Sequence, residues 1–114
     1  MDNCLFCKII NKEISAEIVF ENKNILAFHD INPQAPIHLL IIPKLHISTL
    51  NQMEETHKNL VGEMIFCATK IAKDKGIAEA GYRTGFNCND NGGQTVFHIH
   101  LHLLGGRKFG WPPG

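Results

Sequence analysis

Three short apolar segments in the first half of the chain have the composition and spacing of β-strands. Residues 16–21 and 25–28 flank Asn22-Lys23-Asn24, a turn signal, and therefore predict a hairpin. Residues 38–42 are almost uniformly apolar and stop at Pro43, which lacks the N–H that a strand ladder needs. Because such a strand buries both faces, we expect it near the centre of a sheet.

The middle of the chain has the periodicity of a helix. From residue 53 to 75 apolar side chains recur every three or four positions, which predicts one long amphipathic helix. Asn51 with Glu54 forms a candidate N-terminal cap, and Gly76 is a C-terminal stop. A further strand is expected over residues 82–87.

These elements together predict an α+β fold. With a last strand over residues 98–104, the count is five strands and one long helix. Most connections between the strands are too short for parallel crossovers, so we expect a mainly antiparallel sheet. A chain of 114 residues can build one modest core, and we expect a single domain over residues 1–114.

Three of the seven histidines alternate along the last predicted strand. His98, His100 and His102 are separated by Ile99 and Leu101. Successive side chains of a strand point to opposite faces, so the imidazoles should share one face and the apolar residues the other. Imidazole can act as base, acid, nucleophile or metal ligand near neutral pH, and the spacing leaves these roles open. A polar strand face that happens to be rich in histidine is the alternative.

A polar loop, residues 88–95, precedes the histidine strand. Gly92-Gly93 allows backbone amides to turn toward a ligand, and Gln94 and Thr95 add side-chain donors, a combination suited to a phosphate. The loop leads directly to the histidines, so a bound phosphate would lie near them. This proximity favours displacement at phosphorus by an imidazole, with a phosphohistidine-type intermediate that water hydrolyses, over an ordinary tight turn.

Charge and composition narrow the partners and the compartment. Eleven Lys and Arg residues balance eleven Asp and Glu residues without a basic run, which argues against a nucleic-acid partner. The chain lacks an apolar run near the ~20 residues of a membrane span, and its first residues lack a signal-peptide pattern. We therefore expect a cytoplasmic protein without a membrane partner, whose four cysteines are reduced.

The run His98-Ile99-His100-Leu101-His102-Leu103-Leu104 matches the His-φ-His-φ-His-φ-φ signature of the histidine triad (HIT) family. The resemblance extends over nearly the whole chain, including residues 27–31, 33–38 and 92–97. Gly105-Gly106-Arg107 and the final Trp111-Pro112-Pro113-Gly114 resemble the Hint branch, the purine nucleoside phosphoramidases, more than the diadenosine-polyphosphate hydrolases. The third histidine argues against the uridylyltransferase branch, which carries Gln there. The resemblance implies a HIT-like fold with a short N-terminal helix beside the five-stranded sheet and long helix.

The resemblance also implies a role for each matching residue. His100 would attack the α-phosphorus of an adenosine or guanosine 5′-phosphoramidate, the carbonyl of His98 would fix its tautomer, and His38 would support it indirectly. Thr95, where the family often has Ser, would donate to the leaving group. The implied phosphate and ribose contacts are His102, Gln94, Gly93, Asn87 and Thr95, with Asp30 on the ribose hydroxyls and Ile31, Phe28, His29, Leu5, Phe6 and Ile9 around the base. For Leu5, Phe6 and Ile9 alone, core packing is the better expectation.

The pair Cys4 and Cys7 departs from many Hint proteins. Other histidine triad proteins use such a Cys-x-x-Cys with two histidines to hold a structural zinc, and the matching histidines here are His46 and His98. Reduced free thiols are the alternative, and the sequence leaves both open. The two remaining cysteines, Cys67 and Cys88, are expected to be packing residues.

Three functions of different classes remain in view. The first is a purine nucleoside phosphoramidase that needs no cofactor for catalysis and releases a nucleoside monophosphate and an amine. The second is a metallohydrolase in which His98, His100 and a third histidine such as His38 hold a zinc that activates water. The third is a nucleotide-binding or scaffolding module without turnover. The resemblance also implies a homodimer whose sheets join edge to edge.

Overall fold

A computed structural model describes residues 3–114, which form two helices and five strands in an α+β arrangement. The elements in chain order are α1 (Leu5–Ile10), β1 (Ile18–Glu21), β2 (Ile25–His29), β3 (Ile37–Pro43), α2 (Lys58–Asp74), β4 (Tyr82–Gly85) and β5 (Leu101–Gly105). Two single 3₁₀ turns, Leu50–Gln52 and Glu55–His57, precede α2. Within the described range, neither helix combines the length and the apolarity needed to cross a membrane.

The sheet has the order β1-β2-β3-β5-β4, and every neighbouring pair is antiparallel. β3 is the central strand, as its apolar sequence predicts, and it is buried from His38 to Pro43. Because β5 pairs with β3 and places His102 opposite Leu40, side chains from two neighbouring strands can meet at the same part of the sheet. The sheet order therefore brings the first half of the chain against the histidine run.

The two helices cover opposite faces of this sheet. α2 packs on one face against a cluster that includes Ile99, Leu101 and Leu103. α1 packs on the other face, where Phe6 and Ile9 meet residues of β2 and β3. The apolar residues between the histidines thus face α2, and the histidines themselves lie on the face that α1 covers.

The long helix begins five residues later than its periodicity predicts, at Lys58 instead of Met53. The Asn51–Glu54 cap is wrong as well. Thr49 accepts from the N–H of Asn51 at 3.2 Å, and Glu54 opens a second 3₁₀ turn. A 3₁₀ turn repeats every three residues, so it satisfies much of the apolar spacing that indicates a helix.

Three strands are also shorter than predicted. β5 starts at Leu101, although an extended strand from His98 was expected. Pro43 ends β3, and its carbonyl accepts a hydrogen bond from the His98 ring at 2.7 Å, so the strand ladder cannot continue there. The N–H of Ile99 bonds the carbonyl of Ile47 instead, at 2.8 Å. β1 begins at Ile18, two residues later than predicted, and β4 ends at Gly85, two residues earlier than predicted.

Candidate active site

A cavity of about 450 Å³ opens on the face of the sheet that α1 covers. Its walls come from α1, the end of β2, the segment leading into β3, the polar loop and the histidine run. It brings together most of the residues singled out in the sequence, namely Leu5, Phe6, Ile9, Phe28, His29, Asp30, Ile31, His38, Asn87, Gly93, Thr95, His100 and His102. Gln34, Leu40 and Val96 also line it, although the sequence analysis gave none of them a role in the site.

His100 lies at the base of this cavity with one ring nitrogen committed to the backbone. Its Nδ1 donates to the carbonyl of His98 at 2.8 Å, and the edge-to-face ring of Phe6 packs on it with centroids 5.0 Å apart. The residue is only 7% exposed, and burial lowers the pKa of His100 below its usual value, with the His98 carbonyl opposing that shift. The ring is therefore neutral near pH 7, with Nδ1 protonated and an unshared pair on Nε2.

His102 and His38 form a hydrogen-bonded pair of imidazoles in which His38 is the donor and His102 the acceptor. The backbone N–H of Gln34 donates to His38 Nδ1 at 3.0 Å, so the proton of a neutral His38 is on Nε2. That Nε2 lies 2.9 Å from His102 Nδ1 and donates to it, which leaves the proton of His102 on its own Nε2. Burial, followed by repulsion from His100, lowers the pKa of His102 to about 4. His102 is thus a neutral N–H donor beside His100, whose ring centroid is 5.0 Å away.

Asp30 is the one carboxylate among residues 3–114 that line the cavity. Its Oδ2 lies 3.4 Å from His38 Nε2, and its Oδ1 accepts from the N–H of Asn32 at 2.8 Å. The Asp30 N–H in turn donates to the carbonyl of His38 at 3.0 Å, which fixes the backbone of the two residues together. The carboxylate is held in place, while 20% of its side chain remains accessible to a ligand.

The polar loop is folded on its own backbone. The N–H groups of Gly93 and Gln94 donate to the carbonyls of Asp90 and Asn89, so the expectation that the Gly92-Gly93 amides turn toward a ligand is wrong for the Gly93 amide. A Cβ on Gly92 would lie 2.5 Å from the carbonyl oxygen of Cys88, and Gly93 has a φ of +78°. The glycines are needed because the loop closes tightly and turns through a left-handed conformation.

Gln94 is buried, and its side chain braces this loop. Its Oε1 accepts from the N–H of Asn89 at 2.8 Å, and its Nε2 donates to the carbonyls of Ser48 at 2.8 Å and Val96 at 3.1 Å. Asn87 also holds the loop, since its Nδ2 donates to the Gly92 carbonyl at 2.6 Å, but unlike Gln94 it lines the cavity. The structure therefore separates these two residues, which the resemblance had grouped as phosphate contacts.

Part of the cavity lining is apolar and belongs to the buried core. Phe6 and Phe28 meet edge to face with centroids 5.6 Å apart, and Ile9 lies in the same buried cluster. These residues belong to the core, as expected for Phe6 and Ile9 alone, and they also line the cavity. Ile31 is 97% exposed at the rim.

A second group of side chains has the geometry of a metal centre. Cys4, Cys7, His46 and His98 each point one donor atom to a common centre, with all four atoms within 4.8 Å of one another. The sulfur–nitrogen separations are 3.5 Å from Cys4 to His98, 3.3 Å from Cys7 to His46 and 3.6 Å from Cys7 to His98. The two Nδ1 atoms are 3.2 Å apart.

These spacings fit a tetrahedral zinc ion. Bonds of roughly 2.3 Å to sulfur and 2.0 Å to nitrogen separate a sulfur from a nitrogen by about 3.5 Å and two nitrogens by about 3.3 Å. The Nε2 of His98 donates to the Pro43 carbonyl at 2.7 Å, which leaves its Nδ1 unprotonated and facing the other donors. Burial lowers the pKa of His98 to about 4, consistent with a ring that stays neutral and able to ligate. Two thiols, two imidazoles and the hydrogen bond that orients the His98 ring fit a structural zinc site.

Comparison with known proteins identifies the family. A family model described as scavenger mRNA decapping enzyme C-terminal binding matches residues 3–109. Over 109 residues the chain is 50% identical to a purine nucleoside phosphoramidase of Escherichia coli strain K12, covering 96% of this chain and 92% of that protein. The crystal structure of a HIT family hydrolase from Legionella pneumophila superimposes with a TM-score of 0.96 at 59% identity, covering 98% of this chain and 100% of that one. The chain belongs to the histidine triad family.

The family membership confirms the resemblance seen in the sequence, and the five-stranded sheet with its long and short helices is the histidine triad fold. A further relative, a 14 kDa zinc-binding protein of Zea mays, is 49% identical over 112 residues, covering 96% of this chain and 87% of that protein. The name of that relative agrees with the geometry of the four donor atoms around Cys4 and His98.

Proposed function

We propose that this histidine triad protein is a purine nucleoside phosphoramidase, which hydrolyses adenosine or guanosine 5′-phosphoramidates to the nucleoside monophosphate and an amine. The observation that carries the proposal is the state of His100, a buried neutral imidazole with Nδ1 committed to a carbonyl and Nε2 unprotonated in the cavity. The 50% identity to an enzyme of that name supports the choice of substrate.

The first step is displacement of the amine by His100. The Nε2 lone pair forms a bond to the α-phosphorus while the bond from phosphorus to the amine nitrogen breaks. The leaving nitrogen takes up a proton through the hydroxyl of Thr95, which water replenishes. The Nε2–H of His102 donates to a non-bridging phosphoryl oxygen, where negative charge must be held during the displacement.

The second step is hydrolysis of the nucleotidyl-histidine. Once Nε2 carries the phosphoryl group, the His100 ring is cationic, and its Nδ1–H donates to the His98 carbonyl more strongly than before. Water attacks phosphorus, the bond to Nε2 breaks, and the nucleoside monophosphate leaves with the neutral imidazole restored. The water proton passes to solvent, so neither step consumes a cofactor.

The nucleoside would occupy the other end of the cavity. The Asp30 carboxylate, fixed by Asn32 and partly accessible, can accept two hydrogen bonds from vicinal ribose hydroxyls. Ile31, which is exposed at the rim, would then contact one face of the base and lose that apolar surface from water. Phe28 and Ile9 supply the apolar floor beneath it.

We also propose that Cys4, Cys7, His46 and His98 hold a structural zinc. When bound, zinc would cross-link α1 to the segment that follows β3 and the segment that precedes β5. The geometry disfavours the alternative of a catalytic zinc on His98, His100 and His38. Both ring nitrogens of His38 are engaged, by Gln34 and His102, and the Nδ1 of His98 belongs to the cysteine cluster.

The test is hydrolysis of adenosine 5′-phosphoramidate by the native protein, by His100→Ala and by native protein after exhaustive chelation. We expect the native protein to release AMP and ammonia, and His100→Ala to be slower by roughly a thousandfold or more while it still binds AMP. Chelated protein should retain turnover while it stays folded.

Each other outcome selects a different function. An unchanged rate for His100→Ala would remove His100 as the nucleophile. Complete loss of turnover on chelation of protein that remains folded would favour the metallohydrolase. Binding of AMP without any turnover by the native protein would leave a nucleotide-binding module.

A further inference from the structure

The Gly105-Gly106-Arg107 run packs against the segment that joins β2 to β3. Gly106 has a φ of +90°, and a Cβ on it would lie 2.8 Å from the Cβ of Pro36. A side chain at this position would be strained and would clash with Pro36, so glycine lets the two segments approach closely. The next residue, Arg107, donates from its Nε to the carbonyl of Gln34 at 3.1 Å. The chain just after β5 thereby holds the segment that carries Gln34.

The Arg107 guanidinium is exposed, yet its position is defined by a neighbouring ring. Its Cζ lies 4.2 Å from the centre of the Phe109 ring. Arg83 of β4 approaches the same ring at 5.1 Å and donates to the carbonyl of Gly110 at 2.7 Å, which anchors the segment that carries Phe109. A planar guanidinium that stacks on a ring loses less freedom on forming a hydrogen bond than a free side chain does. Arg107 is thus a well-placed donor to Gln34.

Gln34 connects this donor to the histidines of the cavity. Its carbonyl accepts from Arg107, and its own N–H donates to His38 Nδ1 at 3.0 Å. His38 Nε2 lies 2.9 Å from His102 Nδ1 and donates to it. One series of hydrogen bonds therefore runs from an exposed guanidinium to the ring whose Nε2–H faces the cavity.

The His38–His102 pair has a second arrangement in which both protons are reversed. Without the Gln34 N–H at His38 Nδ1, that nitrogen could carry the proton, and His38 Nε2 would accept from His102 Nδ1. The Nε2 of His102 would then present a lone pair, which repels a phosphoryl oxygen instead of donating to it. Asp30 Oδ2, 3.4 Å from His38 Nε2, also favours the native arrangement, but in the proposed complex that carboxylate accepts from the ribose. The Gln34 N–H then has the larger share in fixing the direction.

We propose that Arg107 is a positioning residue for the reaction, which acts through Gln34 to keep His38 the donor and His102 the acceptor, so that the Nε2–H of His102 stays directed at the phosphate. The inference rests on the proposed phosphoramidase activity. It gives a task to the Gly105-Gly106-Arg107 run, whose three residues do not line the cavity.

The direct test is the tautomer of the two rings, read from long-range ¹H–¹⁵N correlations of protein with ¹⁵N-labelled histidine near neutral pH. In the native protein both His38 and His102 should be protonated on Nε2. Arg107→Ala should move the ¹⁵N shift of His102 Nε2 toward that of an unprotonated nitrogen, and that of its Nδ1 toward a protonated one. Lys108→Ala, which removes the same charge from the neighbouring position, is the matched control and should leave both shifts at their native values.

A kinetic measurement separates positioning from substrate binding. With adenosine 5′-phosphoramidate, Arg107→Ala should lower kcat roughly three- to tenfold, less than removal of the donor itself would. KM should stay within about twofold of native, because Asp30 keeps its own hydrogen bond from the Asn32 N–H. Arg107→Lys keeps a donor but loses the planar stack on Phe109, so its kcat should lie between those of the native protein and Arg107→Ala. Lys108→Ala should keep both native constants.

Three results would overturn the role of Arg107. These are native tautomers in Arg107→Ala, an equal shift in Lys108→Ala, which would make charge alone responsible, and a higher KM at unchanged kcat, which would limit Arg107 to shaping the binding segment. Failure of the proposed function gives a different pattern. If the native protein does not hydrolyse adenosine 5′-phosphoramidate, the phosphoramidase assignment fails, while the ¹⁵N shifts still decide whether Arg107 orients the histidine pair.

Discussion

His38 and His102 are neutral because burial lowers the pKa of each ring, and their hydrogen bonds decide which ring nitrogen carries the proton. The backbone N–H of Gln34 can only donate, so it forces His38 to accept at Nδ1 and to donate to His102 from Nε2. The sequence could group these two histidines through the family motif. It could not assign their tautomers, because the deciding group is a backbone amide with no side-chain signature.

This protonation state predicts a dependence of stability on pH. Burial lowers the pKa of His102 from 6.5 to about 4, and desolvation also lowers the pKa of His38. Between these values the unfolded chain binds a proton that the folded protein does not, so the free energy of unfolding falls as the pH drops from about 6.5 to about 4. Above 6.5 neither state binds the proton, and this contribution is constant.

The measurement is urea unfolding across that pH range, with chelator present throughout, for the native protein and His102→Asn. In His102→Asn the free energy of unfolding should fall less steeply as the pH drops, because the variant takes up about one proton fewer on unfolding. Parallel curves for native protein and His102→Asn would contradict the assignment.

At the scale of elements, the loop of residues 88–95 is ordered by long-range contacts. Gln94 connects the loop to the Ser48 carbonyl, 46 residues away in sequence. Local patterns correctly indicated a turn at Gly92-Gly93 and an apolar central strand at β3. They failed for the start of α2 and for the role of the loop amides. In both places the backbone N–H groups bond to acceptors that the pattern of apolar and polar residues does not reveal.

Truncating Gln94 should therefore loosen the loop and lower activity together. Gln94→Ala leaves the Asn89 N–H and two carbonyls without their partner, and we expect the free energy of unfolding to fall by about 1–3 kcal/mol. The readouts are urea unfolding and hydrolysis of adenosine 5′-phosphoramidate. Gln52→Ala, in an exposed 3₁₀ turn, should change neither. A higher KM at unchanged stability would instead support the direct phosphate contact that the resemblance implies.

On the scale of the whole molecule, the cysteine and histidine cluster joins segments that are distant in sequence. Cys4 and Cys7 come from the start of the described chain, His46 follows β3, and His98 precedes β5. The sequence could propose this set only through the family, because a lone Cys-x-x-Cys does not identify its histidine partners. The sheet order that brings them together rests on pairings such as β3 with β5, which no local pattern encodes.

Zinc should therefore stabilise the fold as a whole. We expect one zinc per chain and a higher Tm for zinc-loaded protein than for chelated protein, because the ion binds the folded state in preference to the unfolded chain. Cys7→Ser should lose both the bound metal and the difference in Tm. Cys88→Ser, which changes a cysteine outside the cluster, should keep them. Equal Tm values with and without zinc in the native protein would argue for free thiols.

The homodimer that the family resemblance implies should form at the β4 edge. β1 and β4 are the two edge strands, and the β1 pairing is interrupted by a bulge between Ile18 and Phe20, which makes it a poorer template for another strand. Light scattering should give twice the mass of one chain. Thr84→Lys on β4 should weaken the dimer by bringing like charges near the two-fold axis, and Ile18→Lys on β1 should not. A native monomer would exclude the dimer.

The contact of Phe6 with both His98 and His100 also sets the order in which the protein can become active. α1 is the first of the described elements to leave the ribosome, and the histidine run with β5 is the last. The nucleophile cannot be seated under Phe6 until both have emerged. An incomplete chain that ends before His98 thus carries most of the apolar core but none of the histidine run, and it would be inert toward nucleotides.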